Sequence, residues 1–365
     1  MTESMTPRER WLAAIRMQPV DRLPFWPKIN NGWLHAQPAP FREQSVQALH
    51  EWIGSDRHEW ITQGIKETRN RTRHENRQES GNLHTTFATP FGNLEQIQHW
   101  DADSESWHPV TYPVATVEDI RILTAWFEDV TVTLDPEAIR KAHDQATAIG
   151  QQAVTAISMG TSAFMEWIQM LAGVENGHLL LLDYPDETNA LFQAIHRIIL
   201  DRTRLLVEHS PADLLYLVEN TSTTLISPDQ YRTYCLPHIQ DYAAIIQGAN
   251  RNMVLHMCGH LKALLPTLAT IPARAFEAFT SPPVGNTTLL NGRTLCPDTC
   301  LIGGTNAVLW TQPADIIIRE LEQHLNALPH HRGIVVTSAG VMSYAAHPET
   351  IRQVCEWVKR YVPRR

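Results

Sequence analysis

The run Met253-Val-Leu-His256-Met-Cys258-Gly-His260 sets an imidazole and a thiol two residues apart as an apolar stretch ends, so both side chains point to one face of an extended chain. Imidazole and thiolate are donors that a borderline-soft ion such as Zn2+ takes at about 2.0 to 2.3 Å. A lone His-x-Cys is equally at home in a core, where cysteine packs as a small hydrophobe. The stretch Ala275-Phe-Glu277-Ala-Phe279 adds a carboxylate among apolar residues, and a buried carboxylate needs either a metal or a Lys or Arg partner. Glu219 and Asn220 close the apolar run Leu214 to Val218, placed to contact a substrate or to cap the following loop. Thr305 and Asn306 follow the pair Gly303-Gly304, which serves equally well as a simple turn. Cys296 and Cys300 precede a strand instead of leaving one, so Cys300 reads as core and Cys296 as loop.

A large folded unit must hold these residues. The chain has 365 residues, 43% of them hydrophobic and 19% charged, enough for a sizeable core. Its 39 acidic against 30 basic residues leave a formal charge of −9 with no basic block, so a nucleic-acid backbone has no electrostatic footprint to meet. No apolar run reaches the ~18 residues of a membrane span, and the opening MTESMTPRERW carries charges where a signal peptide is apolar. The expectation is a cytoplasmic protein with neither nucleic-acid nor membrane partners. Five cysteines, an odd number in a long chain, argue against a disulfide framework.

Thr6-Pro-Arg-Glu9 combines a capping hydroxyl, a proline at the first helical position and a glutamate three residues after the cap, which predicts a helix to about Met17. Leu23 to Trp26 reads as a short buried strand. Three- and four-residue apolar steps predict a helix within Ser45 to Lys66, and the alternation from His74 to Trp100 predicts a hairpin turning at Thr89-Pro-Phe-Gly92. Beyond Asp119, short apolar runs near 153, 214, 253, 275, 300 and 333 alternate with helical segments, including Ser227-Pro-Asp-Gln230, Leu261 to Leu268, Ala314 to Leu328 and Glu349 to Tyr361. With one further strand in the first third the count approaches eight. The spacing predicts a (β/α)8 TIM barrel in one domain, residues 1–365, with residues 1–118 including an N-terminal helical and β-hairpin extension. No GxGxxG follows the first strand, which disfavours dinucleotide binding. In such a barrel the residues at the C-terminal strand ends carry the chemistry.

Several stretches together resemble the uroporphyrinogen decarboxylase superfamily, whose members include cobalamin-dependent methyltransferases. They are Thr6-Pro-Arg-Glu-Arg10, Pro19-Val-Asp-Arg22, Thr89-Pro-Phe-Gly92, Ile226-Ser-Pro228, Leu236-Pro237, His256-Met-Cys-Gly259, Glu277 to Gly285 and Gly303-Gly304. The decarboxylases place arginines just after the first strand, where this chain reads Pro27-Lys-Ile-Asn-Asn-Gly32, so the methyltransferase branch is the nearer likeness. That resemblance implies a catalytic zinc on His256, Cys258 and Glu277. It also implies zinc-assisted methyl transfer, in either direction, between a small methylated substrate or a thiol and a corrinoid cofactor delivered by a separate protein, and a homodimer, to which the 11 tryptophans also point. The family's second cysteine is missing, with Val341 near its place, leaving one zinc position open or the metal lost. Glu219, Asn220 and Glu277 are then the candidate catalytic residues and Asn306 the candidate cofactor contact. Trp26, Lys28, Phe164 and Trp167 are the candidate substrate wall, with Trp33 beside them, suited to a small methylated molecule such as an aryl methyl ether. The alternative reading is a metal-free decarboxylase or lyase of a small or tetrapyrrole-like carboxylate, with Lys28, His260 or Arg57 neutralising charge. A non-catalytic barrel that binds such a ligand or a partner is the third.

Overall fold

In the computed structural model, which describes residues 4–102 and 105–364, eight parallel strands wrap into a barrel. They are β1 (Phe25–Trp26), β2 (Arg57–Trp60), β3 (Ala153–Gly160), β4 (Leu214–Val218), β5 (Asn252–His256), β6 (Ala275–Phe279), β7 (Cys300–Gly304) and β8 (Ile334–Thr337). Neighbours in the sheet run β1-β8-β7-β6-β5-β4-β3-β2, and helices cover the outside. Asp56 bridges the remaining seam between β1 and β2. Its N–H donates to the Phe25 carbonyl at 2.8 Å, and its Oδ2 accepts from the Phe25 N–H at 3.0 Å. The carboxylate is fully buried, which is tolerable because Arg10 reaches it at 2.5 Å and Arg22 at 2.6 Å. Arg10 is itself held by Asp21 at 2.7 Å.

The capping box at Thr6 forms as its residue types predict and starts helix Pro7–Ile15. That helix places Trp11, Ala14 and Ile15 in one buried cluster with Trp26, Leu214, Tyr216 and Val335 from the barrel interior. Each large apolar side chain buried there contributes roughly 1.5–3 kcal/mol. A second, larger cluster fills the layer between strands and helices. Six of the eleven tryptophans (Trp11, Trp26, Trp33, Trp126, Trp167 and Trp310) are buried, so core packing accounts for most of the count that had suggested a dimer.

The helix expected within Ser45 to Lys66 spans only Val46–Ile53. Gly54 ends it in the left-handed region (φ 76°), and the chain then enters β2, the strand the sequence had left unplaced. The hairpin expected over 74–100 is part of a four-stranded antiparallel meander, Arg73–Glu79, Asn82–Thr89, Gly92–Asp101 and Ser106–Thr111, with Thr89 to Gly92 as one of its turns. The helix expected over Leu261 to Leu268 shrinks to Leu265–Leu268 because the preceding residues form the loop leaving β5. Among the described residues no helix is long and apolar enough to cross a membrane.

Candidate functional site

His256 and Glu277 are register partners on the neighbouring parallel strands β5 and β6, so their side chains leave the same face of the wall. The sheet register shifts between Glu277 and Phe279, a bulge of the kind that re-aims side chains beside active sites. Glu277 Oε2 hydrogen-bonds His256 Nδ1, and Oε1 accepts from Lys28 Nζ at 2.7 Å, the lysine coming from just beyond β1. On the other edge of the imidazole, Nε2 lies 3.2 Å from Cys258 Sγ. Lys28, Glu277, His256 and Cys258 therefore form one line across the C-terminal mouth of the barrel.

Burial alone would push the Glu277 carboxyl up, but Lys28 and His256 hold it well below the usual carboxylate range. Burial also works against a charged imidazole; Glu277 and Cys258 outweigh it and raise His256 to about 10. At neutral pH an imidazolium faces a carboxylate. With Nδ1 held by Glu277, the Nε2 edge of the ring bonds Cys258 Sγ.

The backbone around this line is strained. Lys28 (φ 50°), Asn220 (φ 50°), Ala278 (φ 61°) and Ala339 (φ 62°) all occupy the left-handed region, and all four lie at the mouth ends of barrel strands. Each such non-glycine residue costs on the order of 1–2 kcal/mol, a strain that clusters where a surrounding framework fixes a functional geometry.

Below the line lies an aromatic layer. His58 stacks on Trp26 with ring centroids 4.4 Å apart, Tyr216 stands edge-on to His58, and Trp60 meets Tyr216 at 4.9 Å while remaining 52% exposed. Burial lowers His58 to about 4, which keeps it neutral. His58 and Trp60 belong to β2 and escaped the sequence reading because that segment was assigned to a helix. The available signals were Gly54 as a helix stop and the charged residues alternating with His58 and Trp60.

The other expected site residues divide. Lys28 is in the site, and Trp26 is buried beneath it, with the ammonium 5.2 Å from the indole centroid. Phe164 and Trp167 are fully buried outside the barrel wall against Phe192, and Trp33 is buried with its indole N–H on the Ala346 carbonyl; these three are core, not substrate wall. Glu219 is a buried strut whose two oxygens take the Ser162 N–H and Oγ–H, each at 2.6 Å. Burial raises it to about 7 despite those bonds. Asn306 is likewise committed, donating to Ser281 Oγ and the Pro282 carbonyl and accepting from the Leu309 N–H, so it braces loops and does not face a cofactor. Asn220 is half-buried at the mouth, bonded to Gln169. Arg57 begins β2, at the end of the barrel away from the mouth, and pairs with Glu51 and Glu59, so it cannot neutralise charge there. His260 anchors the β5 exit loop through its backbone, and Val341 is exposed.

Residues 108–361 match the family model for uroporphyrinogen decarboxylase (URO-D). The chain belongs to the uroporphyrinogen decarboxylase family. No curated protein matches it. Among solved structures it is similar to a methyltransferase from Methanosarcina mazei, at 14% identity and a TM-score of 0.60 over 98% of this chain and 99% of that one. This overlap supports the barrel fold. A looser overlap, with a TM-score of 0.43 and 13% identity over 62% of this chain and 70% of the other, is with the "Putative Vitamin-B12 Independent Methionine Synthase" from Listeria monocytogenes. The match to the uroporphyrinogen decarboxylase family begins after β1 and β2, so Lys28, His58 and Trp60 lie outside it.

The zinc expected on His256, Cys258 and Glu277 asks three donors to converge on one point, and here they do not. His256 lies between the other two, and Glu277 is taken up by the imidazole and by Lys28. Among the described residues no group of three or more His, Cys, Asp or Glu side chains could hold a metal ion. The donor types suit zinc; the arrangement falls short of the three protein ligands that a catalytic site supplies.

Proposed function

We propose that this uroporphyrinogen decarboxylase family member is a methyltransferase, moving a methyl group from a small O-methylated substrate to a corrinoid carried on a separate protein. The observation that carries this reading is the imidazole held between Glu277 and Cys258 at the barrel mouth. Demethylation breaks an O–CH3 bond, and the electron pair stays on the departing oxygen. That oxygen needs a proton or a positive charge as it leaves. His256 supplies the proton from Nε2, Glu277 compensates the imidazolium while it waits, and Lys28 adds a fixed cation beside it. The Cys258 sulfur, 3.2 Å from Nε2, accepts that proton's hydrogen bond until the departing oxygen takes its place.

A second reading, decarboxylation of a small carboxylate, draws support from Lys28, a cation at the mouth that could pair with a substrate anion. The product separates the two. Incubation with reduced cobalamin and a methoxyarene should generate the absorption bands of methylcobalamin, and H256A should not. Release of carbon dioxide from small carboxylates without any change in the corrinoid spectrum would favour the second reading.

A further inference from the structure

On the extension side of the mouth, a cavity of about 450 Å3 opens between the last meander strand, Ser106–Thr111, and the loops leaving β3 and β4. We infer that this chamber is the substrate-selecting pocket and that it takes a neutral, flat aromatic molecule bearing a methoxy group. The inference rests on the methyl-transfer reading for the methoxy group, and on geometry alone for the rest.

Four observations converge. Trp107 and Tyr112 from the meander face Ile168, Met170, Val174 and Leu225 from the barrel side, an aromatic and aliphatic enclosure of ring-accommodating size. Its polar lining comes from Ser106, His108, Gln169 and Asn220, and among the described residues no Asp, Glu, Lys or Arg lines it, so these residues offer a charged ligand no fixed counter-charge.

The wall facing the meander is specially built. Residues Trp167–Leu171 form a π-helical turn, a rare conformation associated with functional sites, and supply three of the lining residues. Gly173 (φ 77°) lets the Tyr112 ring approach to where a Cβ would lie 2.8 Å from it. Gln96 of the meander donates to the Met170 carbonyl at 2.5 Å and fastens the two walls together.

The chamber also connects to the chemistry. Asn220 lines it in a left-handed conformation, donates to Gln169 Oε1 at 2.9 Å, and has its backbone N–H on the His256 carbonyl at 3.2 Å. Gln169 in turn donates to the Glu219 carbonyl at 2.9 Å. A ring held in this chamber contacts Asn220, whose backbone is bonded to the strand end that carries His256.

Isothermal titration of the full chain with 2-methoxyphenol tests this, with tetramethylammonium and benzoate as charged probes of similar or smaller size. Binding of 2-methoxyphenol should weaken at least about tenfold in W107A. In V174D, where a charge is introduced at a position 41% exposed and so compatible with folding, the same loss is expected. Unchanged affinity in both variants, or tighter binding of either charged probe than of the phenol, would overturn the inference. If 2-methoxyphenol binds in a Trp107-dependent way but never methylates reduced cobalamin, the pocket stands and the methyl-transfer reading falls. If methylation proceeds undiminished in both variants, the reading stands and the pocket assignment falls.

Discussion

Two of the barrel's buried carboxylates are each flanked by two cations, and they do different work. Asp56, at the seam between β1 and β2, is fully buried, is held by two guanidiniums and two backbone bonds, and joins strands that would otherwise not meet. Glu277, at the mouth, is also buried, but its partners Lys28 and His256 retain 14% and 15% side-chain exposure and its line ends in a thiol on a strained rim. A carboxylate enclosed by fixed guanidiniums serves the fold. One whose partners face a solvent-accessible mouth and can lose a proton is equipped for chemistry.

The two carboxylates should differ most in what their removal costs the fold. D56A leaves Arg10 and Arg22 buried without their shared anion and should cost about 3–5 kcal/mol, read from denaturant midpoints. E277Q should cost clearly less, because water reaches Lys28 and the imidazole can give up its proton. Equal losses would remove the distinction between the two sites.

The pH dependence of that stability sharpens it. His256 is raised to about 10 from an ordinary value near 6.5, so the charged imidazole contributes stability that is fully present below about 6.5 and lost as pH climbs through about 10. Denaturation at pH 7 and pH 10 should show the wild type losing this contribution, while E277Q, lacking the carboxylate, should show a much flatter difference. Metal content gives a further contrast. The parent protein should retain zinc well below one equivalent by elemental analysis, whereas K28M, which frees one Glu277 oxygen, should retain more. Zinc at a full equivalent in the parent would mean that the mouth donors rearrange around an ion. The smallest effect is expected at the start of the chain, where T6A removes one capping acceptor and should cost about 1 kcal/mol by thermal denaturation.

Much of the fold was legible because β4 to β8 are largely apolar runs and helices open on cap signals, as at Thr6-Pro7 and Ser227-Pro228. β2 was hidden because Arg57-His-Glu-Trp60 has no apolar run; its place is fixed by Asp56 bonding to residues some 30 to 46 positions away, which no local pattern encodes. In the site, His256, Cys258 and Glu277 could be read from strand ends, and they do meet. That His256 would lie between the other two, and that Lys28 would claim Glu277, depends on which rotamers the barrel closure brings together. Phe164 and Trp167 were misplaced for a simpler reason: aromatic residues after a strand pack under a covering helix as readily as they line a mouth.

Single-turnover methylation of reduced cobalamin by wild type and E277Q, with the melting temperature taken on the same samples, separates a catalytic from a structural role for the line across the mouth. If the carboxylate supports a working acid at His256, E277Q should lose about 100-fold or more in rate while melting within a few degrees of the wild type. A rate unchanged by the substitution, or one that falls only as far as the protein unfolds, would show that the line across the mouth is structural, like the one at Asp56.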